Sequence, residues 1–180
     1  NCTIDLGSLV EQLAVPSQPH VLNMAHSYET AGATYPYGCH IAEGEIDPAS
    51  CDITIAKFTV VDDFGLVINP MMLAGQIHGG IAQGVGQALY EHVVYDDSGQ
   101  ILSGSFMDYT MPRADHFPQL DIHMHNTPCQ NNILGIKGSG EAGAIGAPQA
   151  VVSAVCDALG IQHVDMPVTP LKIFNILHQN

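Results

Sequence analysis

Tryptophan is absent from these 180 residues, and aromatic residues of all kinds reach only 6%. Basic residues are nearly as scarce. Lys57, Arg113, Lys137 and Lys172 stand against 18 acids, for a formal net charge of -14. Four scattered cations cannot neutralise a row of phosphates, which argues against nucleic acid as a partner and against an anionic membrane surface. Cys2, Cys39, Cys51, Cys129 and Cys156 form no CxxC pair. An odd count without that spacing speaks against a disulfide framework, a structural zinc site or an iron–sulfur site. It favours reduced, mostly buried thiols in a cytoplasmic protein. No uninterrupted apolar run approaches bilayer length, and Asn1 to Pro16 lacks the basic start and cleavage site of a secretory signal. Charged residues make up 12% of the chain against 46% hydrophobic. That is too apolar for disorder, and a surface so sparsely charged is expected to touch other protein.

The pattern along the chain predicts an α+β domain, a mixed sheet with packed helices. Leu6, Leu9, Val10 and Leu13 recur at helical spacing, and Pro16 and Pro19 end that stretch. Residues 1–32 read as a connector and 33–180 as the domain. Cys39 to Asp47 and Ile53 to Asp62 read as a β-hairpin about the turn Asp47-Pro48-Ala49-Ser50. Asp62 and Asp63 read as a solvated turn. Residues 70–92 read as a long helix opened by Pro70. Short strands are expected near Ile101 to Tyr109, and a half-buried strand over Leu120, Ile122 and Met124. Residues 126–147 read as a glycine-rich loop, Pro148 to Leu159 as a helix stopped by Gly160. Thr169-Pro170 would cap a last helix, with Leu171, Phe174 and Leu177 on one face.

Two stretches carry chemistry. The long helix holds Gly75, Gly79, Gly80, Gly84 and Gly86, each costing it about 1 kcal/mol relative to alanine. Either tight packing of another element or a bound ligand would compensate. Gln76, Gln83 and Gln87 line one face beside them. The second stretch is Lys137-Gly138-Ser139-Gly140-Glu141-Ala142-Gly143-Ala144-Ile145-Gly146-Ala147-Pro148. Gly138, Gly140 and Gly143 satisfy GxGxxG, but no buried strand precedes them and no acid at the end of a second strand follows about twenty positions on, so a dinucleotide site is rejected. A carboxylate among glycines is either an exposed turn residue or a group presented beside a bulky ligand, where poor hydration suits a general base.

The stretch from Gly138 to Pro148 resembles the active-site loop of the xanthine dehydrogenase / aldehyde oxidoreductase / carbon monoxide dehydrogenase family. Phe58 to Pro70 resembles the strand and turn before that family's glycine-rich helix, and Ala74 to Tyr90 the helix itself; Tyr109 to Pro112 and Thr169-Pro170 also fit. The resemblance runs from about Ala33 to the end and implies the C-terminal molybdopterin-binding part of a larger catalytic subunit. It implies a molybdenum–pyranopterin cofactor, often the cytosine dinucleotide form in bacterial-type members, with no metal ligand from the protein. Glu141 would be the base toward a water-derived oxygen, Gln76 a hydrogen-bonding partner near the pterin, and Gly138, Ser139 and Gly140 the backbone bordering the site. Lys137 matches the family's lysine before the loop but receives no role. Carbon monoxide, aldehydes, purines and N-heterocycles all stay open as substrates. Electrons would leave through iron–sulfur and FAD partners that this chain does not bind. The competing reading is a non-catalytic packing or assembly module.

The histidines read more plainly. His123 and His125 share a strand face without a third ligand, which favours an ordinary strand over a metal site. His78 and His92 read as structural, and His40 is placed near the site entrance.

Overall fold

The computed structural model describes residues 3–20 and 22–178. The chain divides into two compact units, Asn1–Ala31 and Gly32–Asn180. In the first, helix α1 spans Leu6–Leu13 as the spacing predicts, capped by Asp5, which accepts from the Ser8 amide at 3.0 Å. None of its residues is buried.

The second unit is built on a three-stranded mixed sheet in the order β1-β2-β3, with β1 Tyr37–Ile46, β2 Ile53–Asp63 and β3 Leu120–Met124. β1 and β2 form the predicted hairpin, in which Gly38 faces Asp62 and His40 faces Val60. β3 runs parallel to β2. Phe58 and Val60 are fully buried.

Helix α2, Pro70–Leu89, starts where Asn69 accepts from the Met72 amide at 3.1 Å and Pro70 occupies a first-turn position that needs no N–H. Its buried side chains Ile77, Ile81, Val85 and Ala88 join Val151 and Val155 of α3 and Ile173 of α4 in one core. α3 spans Ala142–Leu159 and ends at Gly160, whose φ of 66° supplies the left-handed cap. α4, Pro170–His178, begins at Thr169, whose hydroxyl accepts from the Lys172 amide at 3.4 Å.

Several expectations are corrected. α3 begins at Ala142, so the loop is shorter than predicted and Pro148 lies inside the helix. No strand forms over Ile101 to Tyr109. Only an isolated bridge links Tyr95 to Ile101, because Ser105 and Asp108 close a turn through a 2.6 Å side-chain hydrogen bond. Leu171, Phe174 and Leu177 do share a face of α4, an exposed one, while Ile173 seats the helix in the core and the Val168 amide donates to the Ala88 carbonyl at 2.7 Å. Cys51 and Cys156 are buried, but Cys39 is exposed and Cys129 half-buried; Cys2 lies outside the described residues. α3 is 18 residues of mean hydropathy 1.3, long and apolar enough to cross a membrane by length and composition, although Gln149 and Asp157 interrupt its apolar run; here it packs on α2 and β1.

Candidate active site

Glycine lets the backbones of α2 and α3 touch. A Cβ at Gly80 would lie 2.8 Å from the Gly143 Cα and the Ala144 nitrogen, and one at Gly143 would lie 2.6 Å from the Ile77 carbonyl oxygen. One turn further on, a Cβ at Gly84 would lie 2.6 Å from the Ala147 Cβ and 2.8 Å from the Pro148 Cδ. The crossing fixes the start of α3, and Glu141 is its N-cap residue, two positions before Gly143. Gln76 sits one turn before Gly80 on α2. Gln76, Gln83 and Gln87 are all exposed, on the flank of the helix next to the Gly80–Gly84 contact. The packing explanation therefore holds for Gly80 and Gly84, and for Gly86, which lies against Glu91 and Pro112. It fails for Gly75 and Gly79, where an added Cβ meets nothing within 4 Å. Gly138 and Gly140 are equally open.

The loop before Glu141 is pinned on its upstream side. The Lys137 amide donates to the Phe64 carbonyl at 2.9 Å, and its ammonium donates to Asp63 at 2.7 Å while lying 4.0 Å over the Tyr37 ring. Asn132 clasps both backbone groups of Ile136, donating at 2.8 Å and accepting at 3.1 Å. Gly65, at φ 67°, lets the Gly135 backbone close against it. Burial works to raise the Asp63 carboxyl, but the Lys137 ammonium and the amides of Thr127 and Gly65 outweigh it and hold the group well below the usual carboxylate range. Burial works against the Lys137 charge as well, and Asp63 outweighs it, holding the lysine above its ordinary value. The solvated-turn reading of Asp62 and Asp63 is thus wrong: both are buried, at 2% and 6% exposure. Their partners lie far away in sequence, and the adjacent pair of acids was the only signal. Lys137, left without a role, is the bolt that holds the loop to β2.

Past this bolt the chain is free. The Gly138 amide donates to the Thr34 hydroxyl at 3.3 Å, while the Ser139 and Gly140 amides have no acceptor among the described residues. Glu141 is exposed and makes no side-chain cap bond. Its charge meets the positive end of α3 at its own residue, because the helix starts at Ala142 rather than Pro148. This chain does not itself supply the poorly hydrated surroundings expected for Glu141. The structure seats Gly143, two residues after Glu141, on Ile77 and Gly80 of α2, and it leaves Gln76, Gly138, Gly140 and Glu141 open on the surface.

The histidines divide. A ring nitrogen of His78 bonds the Ala74 carbonyl at 2.6 Å, and His123 pairs with Asp121 at 2.9 Å on an exposed face. No cluster of three metal-ligating side chains occurs among the described residues. His40 has a buried side chain, held between β1 and α3.

The domain thus combines an α+β fold with a backbone-to-backbone helix crossing and open glycines near the exposed Glu141. Residues 5–118 match the molybdopterin cofactor-binding domain, and the chain belongs to that family. The match stops short of the Glu141 loop. Over 155 residues the chain is 37% identical to the nicotine 6-hydroxylase large subunit of Paenarthrobacter nicotinovorans, covering 84% of this chain and 19% of that protein. It is 33% identical over 162 residues to the carbon monoxide dehydrogenase large chain of Hydrogenophaga pseudoflava, covering 88% and 20%. Among solved structures, quinoline 2-oxidoreductase from Pseudomonas putida 86 superimposes with a TM-score of 0.75 at 41% identity, covering 79% of this chain and 19% of that one. The chain spans about a fifth of the length of these relatives.

Proposed function

We propose that this chain forms one wall of the molybdopterin pocket of a molybdenum hydroxylase and carries its general base, Glu141. The observation behind this reading is the surface where α3 meets α2. Gly143, two residues after Glu141, packs on Gly80 of α2, Glu141 and Gln76 are exposed, and an added Cβ at Gly75, Gly79, Gly138 or Gly140 would meet nothing within 4 Å. Two of those glycines weaken a helix by about 1 kcal/mol each without relieving any contact inside the chain. A broad, flat group lying on that surface would find no side chain in its way, which fits a pyranopterin.

In this reading the cofactor is held through its pterin and not by a protein–metal bond, and the cytosine dinucleotide form is the one proposed. When bound, the molybdenum–pyranopterin supplies the two-electron oxidant. Gln76 donates its amide N–H toward the pterin. The Gly138–Gly140 backbone gives close approach and the Ser139 and Gly140 amides as donors. The Glu141 carboxylate takes a proton from the water-derived oxygen that becomes the substrate's new hydroxyl oxygen. The dry surroundings that a base requires come from the remainder of the catalytic subunit. Iron–sulfur and FAD partners carry the electrons away, in the cytoplasm. The substrate is a small molecule of the kind named in the relatives, an N-heterocycle, an aldehyde or carbon monoxide.

The test is Glu141→Gln in the natively assembled enzyme. Loss of a general base lowers turnover by roughly 10²–10⁴-fold, with molybdenum content unchanged because the carboxylate is not a ligand. Loss of metal together with activity would refute the role. The isolated 180 residues are expected to show no turnover; substrate oxidation by them alone would contradict the shared pocket.

A second reading, a packing module without catalytic part, is favoured by the large apolar side chains left in solvent, such as Phe106 at 89%, Met107 at 92% and Ile133 at 88% exposure. Molybdenum in the purified native complex decides for the first reading, and its absence for the second.

A further inference from the structure

On the face of α3 turned away from α2 lies a groove of about 590 Å³ against β1. Its size is that of a small-molecule site. Tyr37, Ile41 and the small residues Ala142, Gly146, Ala150 and Ser153 make its walls. His40 and Asp62 also line it, with side chains only 5% and 3% exposed and His40 Nε2 3.6 Å from Asp62 Oδ1. Each keeps one buried polar atom, His40 Nδ1 and Asp62 Oδ2, with no partner among the described residues.

Room for this pair is built into two elements. A Cβ at Gly38, across the hairpin from Asp62, would overlap the Asp62 carboxylate. A Cβ at Gly146 would lie 2.8 Å from the His40 ring. Buried polar atoms are rarely left unsatisfied, and two glycines that admit such a pair make chance placement a poor account.

The chemistry of the orphaned atoms specifies what they take. His40 Nε2 and Asp62 Oδ1 stand 3.6 Å apart, too far for a hydrogen bond, so the carboxylate is left to accept from outside the pair. With the ring proton on Nε2, the Nδ1 lone pair accepts as well, and two acceptors ask for N–H donors. None of the chain's four basic residues lines the groove, and Asp157 adds a second carboxylate at its rim. Asp157 stands in the last turn of α3, where a negative charge is unfavourable beside the helix's negative end. A cation in the groove would offset both acids.

We infer that the groove between β1 and α3 is a binding site for a cationic nitrogen group of the guanidinium or ammonium class, received by His40 Nδ1 and Asp62 Oδ2. The group comes either from a free small molecule or from an arginine or lysine of a neighbouring polypeptide.

The experiment is a titration of the 180-residue chain with methylguanidinium, followed through the ring nitrogens of ¹⁵N-labelled histidine. At a ceiling of about 1.5 kcal/mol per non-hydrogen atom, a ligand of so few atoms binds no tighter than a Kd on the order of micromolar, so the titration runs from there into the millimolar range. A saturable shift confined to His40 is expected, with the neutral isostere N-methylurea at least tenfold weaker. Asp62→Asn abolishes the shift. Ser153→Leu narrows the groove without touching the pair, and weakens binding at least tenfold even if Asp62→Asn fails to fold. No saturable shift in the unaltered chain, equal binding of N-methylurea, or an undiminished shift in Ser153→Leu each overturns the site. Repeating the titration on the native assembly separates the sources. Uptake by the free chain alone identifies a neighbouring side chain as the natural occupant, and equal uptake by both identifies a free ligand. The measurement needs neither molybdenum nor turnover, so its outcome is independent of the role proposed for Glu141.

Discussion

Two neighbouring glycines of α2 should respond to alanine in opposite directions. At Gly80 the new methyl would stand 2.8 Å from the Gly143 Cα and the Ala144 nitrogen. Carbon contacts ordinarily settle at about 3.5–4.0 Å, so α2 and α3 must part by several tenths of an ångström or more. Such overpacking costs roughly 1–3 kcal/mol, partly offset by about 1 kcal/mol of helix propensity. At Gly79 the methyl meets nothing within 4 Å, so the propensity gain of about 1 kcal/mol stands alone. The two variants should therefore differ by about 1–3 kcal/mol. With a urea slope of about 1–3 kcal/mol/M, that is a gap on the order of 1 M between their unfolding midpoints, read by circular dichroism on this chain. Equal midpoints would mean that the helices do not cross at Gly80, and the placement of Glu141 would fall with the crossing. In the native assembly Gly79→Ala acquires a second meaning. If the open glycines receive the pterin, the variant that strengthens the helix should lower cofactor content. Full cofactor and full activity would refute that use of the surface.

Other consequences are simpler to check. Asp63 is held low in the folded state, so its contribution to stability is present above the unfolded value near 3.9 and is lost as pH falls through the lower folded value. Lys137, held high, contributes fully below its unfolded value of about 10.4 and loses that contribution as pH rises through the folded one. Asp63→Asn should lower stability at neutral pH and flatten the acid limb of a denaturation–pH profile; an unchanged acid limb would refute the pairing. Asn69→Ala removes the α2 cap and should lower stability by about 1 kcal/mol in urea unfolding. Ile77→Ala should cost roughly 2–5 kcal/mol, since its side chain is fully buried where the helices cross.

The elements legible in the sequence were those whose signals are local. Alternation marked β1 and β2, and Pro70 marked the start of α2. The start of α3 was not legible. Glycine is a poor helix former and proline ordinarily a first-turn residue, so Gly143, Gly146 and Pro148 read as a loop ending in a helix start. The contact of Gly143 with Gly80 overrides both preferences, and that contact spans the chain. Asp63 and Lys137 were misread for a similar reason, since neither sequence neighbourhood names a partner 74 residues away. For the site, family resemblance singled out Glu141, and composition alone left it balanced between an exposed turn and a ligand-facing acid. The exposed N-cap position adds where the carboxylate stands, beside α2.

The bolt between Lys137 and Asp63 also bears on timing. Closing a link of that length must await the strand that carries Asp63, and the Gly143 seat must await α2. The Glu141 segment is therefore expected among the last parts of the domain to acquire its shape. A chain that stalls before that stage keeps Glu141 untethered, with α3 not yet seated on α2.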